Sequence, residues 1–228
     1  MPEGPEVWIL SEAICNENQS YISTSIGKHL IIHSMYCDCD NIESSENSQI
    51  IWSFGLNGKI SININNKLYK PTEDNWIFGN NKLLLEHETI DDYLKISKVD
   101  WMSSNVNELT KVVTKISKLK GKLGPALINQ STICGIGVAW GSEILHRANL
   151  RPEVSANEQD LSHLVEAMCE IRNEIKELYK NELNYYENPK DFIEGWFENL
   201  YKIRNMRVYD KGESITVNGR KWWVSNNE

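Results

Sequence analysis

The sequence predicts an α+β protein in which a helix and a β-rich half precede a helical half. Three observations carry this. Apolar residues recur at helical spacing over residues 5 to about 17, β-rich runs broken by turn residues follow to roughly residue 100, and helical spacing returns after Asn105. A last alternating run turns at Asn218-Gly219. The expected organisation is a first unit over 1–105, a helical unit over 106–210 and a terminal β-hairpin over 211–228.

The first helix opens at MPEGPE, where Pro5 and the acids Glu3 and Glu6 are ordinary helix-start residues, and Val7, Leu10, Ala13 and Ile14 mark its apolar face. A chemical reading stands beside this one. Proline at position two lets an initiator methionine be removed, which exposes a secondary amine. An α-amino group titrates near roughly pH 8, so a sizeable minority is neutral and nucleophilic at pH 7. Such an amine attacks carbonyl carbon to form a Schiff base, with Glu3 beside it as a carboxylate for proton transfer.

The strands follow. SYISTSIGKHLIIHS gives two β-rich runs that meet at Gly27-Lys28, with the lysine near the tip of a tight turn. DCDNIESSENS, residues 38–48, is polar and reads as a loop. IIWSFGLNGKISININ runs strand, turn, strand: Ile60, Ile62 and Ile64 alternate, and Asn57-Gly58 is a hairpin signal. Leu56 is apolar beside that turn. It either folds back on Trp52 or Phe54, or serves as a wedge that enters a duplex and fills the gap left by an extruded base. Strand-like stretches continue through IFGNNKLLLEH and LKISKVDWM.

In the helical half, Val106, Leu109, Val113, Ile116 and Leu119 follow helical spacing. GPALINQSTICGIGVAWGSEILHRANLRPE then places a short helix, a turn with Gly135 and Gly137, and a second helix from about Val138 to Arg147. The glycines permit close backbone approaches, and the free amides opening the second helix suit a phosphate.

Composition narrows the function classes. No long apolar run or signal-peptide pattern occurs, so a soluble, intracellular, monomeric protein with no membrane partner is expected, whether in a nucleus, a nucleoid or a viral factory. The five cysteines are odd in number and favour reduced thiols; Cys37 and Cys39 flank one aspartate, but no second pair follows, so no metal is expected. The net charge of −8 argues against a general nucleic-acid coat. Local basic stretches remain: KVVTKISKLKGK over 111–122 carries five lysines and no acid, and 202–221 holds six basic residues against two acids. A solvated helix face explains the lysine run equally well.

Taken jointly and in this order, MPEGPE at the start, GK between two strands, FGLNG at a hairpin, ALINQSTICGIGVAWGSEIL and VYDKGE before the last hairpin resemble the formamidopyrimidine-DNA glycosylase/endonuclease VIII family. The resemblance spans nearly the whole chain, and PEGPE is most similar to the endonuclease VIII branch. It implies a reduced antiparallel β-sandwich headed by the catalytic helix, then a helix-two-turns-helix segment at about 123–148. It also implies a DNA partner, duplex or single-stranded, bearing an oxidised base or an abasic site, and no cofactor.

The resemblance further implies a role for each matching residue. Pro2 is the expected nucleophile, Glu3 handles protons at the sugar, Glu6 supports the terminus, and Lys28 sits at the family's catalytic lysine. Leu56, with Asn57 beside it, matches a void-filling position. Gln130 and Glu143 match helix-two-turns-helix positions that support phosphate binding or the terminal amine, and Gly135 and Gly137 form the turn that meets DNA. Three departures stand out: Val138 replaces the usual asparagine after the glycine turn, strands are missing ahead of Lys28, and the wedge pair has no counterpart. Where many members hold a four-cysteine zinc finger, ESITVNGRKWWVSNNE has no cysteine. It resembles a zincless finger, with Ile215 and Val217 opposite Trp222 and Val224 and Arg220 reaching a phosphate.

Two other functions fit the same residues: a non-catalytic module that binds lesions or bent DNA, and a plain helix-two-turns-helix interaction module. Blocking Pro2 would leave the last of these unaffected.

Overall fold

The computed structural model describes residues 3–17, 21–26, 29–34, 49–54, 60–64, 67–69, 99–185 and 206–225, with side chains described over 3–9, 11–12, 99–181 and 206–225. Helix α1 spans Gly4–Glu17. Its first turn is set locally: the Glu6 carboxylate reaches back to accept the Glu3 backbone N–H at 2.9 Å, half of a capping box. Pro5 fits this turn because its missing N–H would have had no intrahelical partner there.

Strands β1 (Tyr21–Ile26), β2 (His29–Ser34), β3 (Gln49–Phe54), β4 (Ile60–Ile64) and β5 (Lys67–Tyr69) form one antiparallel sheet in chain order. Ile26 pairs with His29 and Phe54 with Ile60, so β1–β2 and β3–β4 are antiparallel neighbours, while the turns expected at 27–28 and 55–59 lie outside the described residues. Three residues are too short a run to show a period, which is why β5 is not visible in the sequence. Two expectations need correcting at the end of LKISKVDWM: Asp100 makes only an isolated parallel bridge to Cys134, and Trp101 and Met102 lie buried in a turn. The 38–48 loop and IFGNNKLLLEH lie outside the described residues.

Helix α2 (Val106–Ile116) begins at a complete capping box between Asn105 and Glu108, each side chain accepting the other's backbone N–H at 3.0 Å. Leu109, Val112, Val113 and Ile116 form its buried face. Val106 and Leu119, expected on the same stripe, are 54% and 44% exposed. The stripe lasts only as long as the helix: Val106 is its first residue and Ser117 already caps its end.

Helices α3 (Leu123–Leu127), α4 (Val138–Arg147) and α5 (Leu164–Tyr185) complete the helical half. Helix α4 stops in a Schellman turn, with Asn149 at φ 54° and the N–H groups of Leu150 and Asn149 reaching Leu145 and His146 carbonyls. Val7 and Ile9 of α1 share one core with Leu109, Leu127, Ile144, Met168 and Ile175. Trp8 meets Tyr179 of α5 edge-on at 5.4 Å, and Lys176 lies over the same indole. The first helix is thereby fastened to the helical half, each buried aliphatic contributing about 1.5–3 kcal/mol.

The chain closes in a hairpin of β6 (Glu213–Val217) and β7 (Arg220–Val224). Asn218 and Gly219 take positive φ of 50° and 74°, as a two-residue I′ turn requires. That turn sets the register and refines the expected pairing: Ile215 faces Trp222, whereas Val217 faces Arg220 and Val224 faces Glu213. Trp222 is fully buried between Gly124 of α3 and Gly141 of α4. A Cβ at Gly124 would lie 2.8 Å from the indole and one at Gly141 3.1 Å away, so the two glycines form the slot that receives it.

Candidate active site

The start of the chain and the glycine turn before α4 meet backbone to backbone. Gly4 donates its N–H to the Gly135 carbonyl at 2.6 Å, and a Cβ on Gly4 would lie 2.8 Å from that oxygen. Gly135 has φ +88°, a conformation glycine adopts without strain. Both positions therefore require glycine, one for space and one for backbone angle.

This approach delivers Glu3 to the start of α4. Gly137, the N-cap residue, has no side chain to satisfy the opening amides. Glu3 supplies the missing acceptor from far away in sequence: its carboxylate, 5% exposed, accepts N–H bonds from Gly137 at 3.0 Å, Ala139 at 3.1 Å and Trp140 at 3.1 Å. A carboxylate on a helix N-terminus is favoured by the helix dipole and by charge-assisted hydrogen bonds. Glu6, 2% exposed, receives the Trp140 indole N–H at 3.2 Å on each oxygen while still holding the Glu3 N–H.

Gln130 pins the turn from within. Its amide donates to the carbonyls of Ile128 at 3.0 Å and Ile136 at 2.7 Å, and its oxygen accepts the Gly135 N–H at 3.0 Å. The amides expected to await a phosphate thus have protein partners: Gly135 donates to Gln130, and Gly137 donates to Glu3. The sequence could not show this, because Glu3 is more than 130 residues from the amides it caps.

Glu143 is buried on α4 and accepts the successive N–H groups of Arg207, Val208 and Tyr209 at 2.7–2.8 Å. It holds the segment that leads into β6. Arg220 stands exposed at the start of β7, beside the turn. Pro2, Lys28, Leu56 and Asn57 lie outside the described residues. Among the described residues no cluster of histidine, cysteine or acid side chains has the makings of a metal site. The hairpin sequence holds no cysteine, and its Trp222 packs into the slot between Gly124 and Gly141.

No protein-family model matches the chain. A curated formamidopyrimidine-DNA glycosylase from Mycoplasmopsis pulmonis is 26% identical over 144 residues, which cover 58% of this chain. The match spans about half of that relative, 51% of its length. Among solved structures, the Lactococcus lactis formamidopyrimidine-DNA glycosylase in complex with abasic-site DNA superposes with a TM-score of 0.61 at 15% identity, covering 98% of this chain and 97% of that one. The same enzyme non-covalently bound to abasic-site DNA gives 0.54 at 17% identity, over 89% and 78%. The chain shares the fold of these glycosylases.

Within that fold, sequence reading missed two participants. Gly4 carries no signal of its own in MPEGPE, yet its lack of a side chain is what admits the Gly135 carbonyl. Trp140 is buried, with its ring 6.4 Å from that of Trp101. Its indole N–H nevertheless serves Glu6. The sole signal in the sequence was its place three residues after Gly137, within the first turn of α4.

Proposed function

We propose that this chain is a DNA glycosylase with abasic-site lyase activity, acting in base-excision repair. The observation that carries the reading is the docking of Glu3 and Gly4 on the glycine turn, which holds the start of α1 against the start of α4. The relatives named formamidopyrimidine-DNA glycosylase, and the one bound to abasic-site DNA, support the same substrate class.

In this mechanism the Pro2 amine attacks C1′ of the damaged nucleotide. The glycosidic bond breaks, its electron pair leaves with the base, and the base takes up a proton. Loss of the amine proton and opening of the sugar, whose ring oxygen takes up a proton, leave a cationic imine (an iminium ion), which acidifies the C2′ hydrogens. Removal of one expels the 3′ phosphate, and a second elimination expels the 5′ phosphate. The scheme needs neither metal nor organic cofactor, because the imine is the electron sink. Lys28 supplies a cation near the lesion phosphate, Leu56 and Asn57 fill the vacated stack, and Arg220 holds a backbone phosphate. Glu6 and Gln130 keep the terminus and the glycine turn in place. Oxidised pyrimidines are the preferred bases, in line with the PEGPE start, and the hairpin acts as a zincless finger.

One observation favours a second reading, a non-catalytic module that binds lesions or bent DNA. The Glu3 carboxylate is committed to three amides, so it moves protons only by releasing one of them. Borohydride trapping separates the two. The methionine-processed protein is incubated with an abasic-site oligonucleotide and reduced; a covalent adduct that disappears in Pro2→Gly is expected. Tight DNA binding with no adduct would leave the non-catalytic module in its place.

A further inference from the structure

The hydrogen bonds around Glu6 form a chain that runs from α4 to the peptide bond behind the first residues. The Trp140 indole N–H bridges both Glu6 oxygens at 3.2 Å, and one of those oxygens accepts the Glu3 N–H at 2.9 Å. That nitrogen belongs to the Pro2–Glu3 peptide bond. Because a peptide unit is planar, whatever holds this nitrogen bears directly on the residue bonded to it.

We infer that Trp140 is a positioning residue for the terminal amine, acting through Glu6. Three features fit it for this. The donor is rigid, since the indole is 6% exposed and packed against Trp101. The Trp140 backbone N–H also binds Glu3, so one residue of α4 grips both acids of MPEGPE. Glu6 is buried, where a carboxylate deprived of a donor turns to find another. Without the indole N–H, Glu6 swings, the Glu3 amide is released, and the amine loses its aim while DNA contacts elsewhere persist.

The inference rests on the reading of the terminal amine as nucleophile, and the test keeps the two apart. Single-turnover adduct formation is measured for wild type, Trp140→Phe, Glu6→Gln and the double variant, together with amide hydrogen exchange at Glu3 without DNA. The expected results are an adduct rate about tenfold lower in Trp140→Phe with half-saturating DNA unchanged, and a double variant no slower than Glu6→Gln. Glu3 exchange is expected to quicken by a similar factor. Should phenylalanine unfold the protein, benzothienylalanine at position 140 keeps the ring shape and lacks the N–H. A wild-type rate in the folded variant, or a double variant as slow as the product of the singles, overturns the inference while leaving the nucleophile intact. Absence of adduct from wild type overturns the proposed function, and Glu3 exchange then decides the positioning on its own: unchanged exchange refutes it, faster exchange upholds it.

Discussion

Gly4 and Gly135 are joined by a 2.6 Å hydrogen bond between backbones that leave no room for a side chain on Gly4. This contact sets the position of Glu3 on α4. Gly4→Ala is therefore expected to cost about 1–3 kcal/mol, the usual penalty of overpacking a tight contact. Urea denaturation of the purified variant measures it, and a loss below a few tenths would mean that the two backbones separate freely.

Glu3 is expected to matter for stability whether or not it moves protons. Glu3→Ala leaves three buried amides of α4 without their acceptor, at about 1–3 kcal/mol for each group that water cannot reach. Glu3→Gln keeps one acceptor oxygen and should lose less. Equal melting temperatures for the two variants would show that water replaces the carboxylate at no cost.

The glycine slot around Trp222 predicts an order of effects. Trp222→Ala empties a fully buried indole site, at about 3–5 kcal/mol. Gly124→Ala should destabilise more than Gly141→Ala, because its Cβ falls 2.8 Å rather than 3.1 Å from the ring and also meets Pro152. Thermal unfolding gives the order, and its reversal would place the tight wall on α4.

Arg220 is exposed and its loss should leave the fold intact. If it holds a phosphate, Arg220→Ala weakens DNA binding alike for all sequences and lowers the salt dependence by about one counterion. Titrations at several salt concentrations read that slope directly. An unchanged slope would remove Arg220 from the interface.

Arg147 on α4 grips Glu174 on α5 through two hydrogen bonds, 2.6 and 2.9 Å. The hydrogen bond from Arg147 holds the Glu174 carboxyl below the usual glutamate range despite partial desolvation. A depressed carboxylate contributes stability that is full above its ordinary value and fades as pH falls through the lowered one. The protein should lose stability below about pH 4.3, and Glu174→Gln should flatten that part of the curve. Because Glu174 is half exposed, the effect should stay within about 1 kcal/mol. Denaturation midpoints between pH 3 and pH 6 provide the test.

The elements that sequence reading recovers well are those whose signals are local. Asn105 and Glu108 announce α2 within four residues, and Asn218-Gly219 dictates its own turn. The relationships it misses are those between segments far apart in the chain. Nothing near Glu3 says that it caps α4, and nothing near Gly137 says that its amide is already taken. A phosphate on the free amides of a helix start was the better guess from local chemistry alone. Gly124 and Gly141 look like helix-weakening residues until Trp222, some 80 residues later, is seen between them.

Glu3 and the amides it caps are 134 to 137 positions apart. At about 5–20 residues per second of synthesis, the first residues made wait on the order of ten seconds before their partners exist. The helix start of α4 thus stays uncapped by Glu3 until synthesis has passed Trp140, and the long-range cap closes only then.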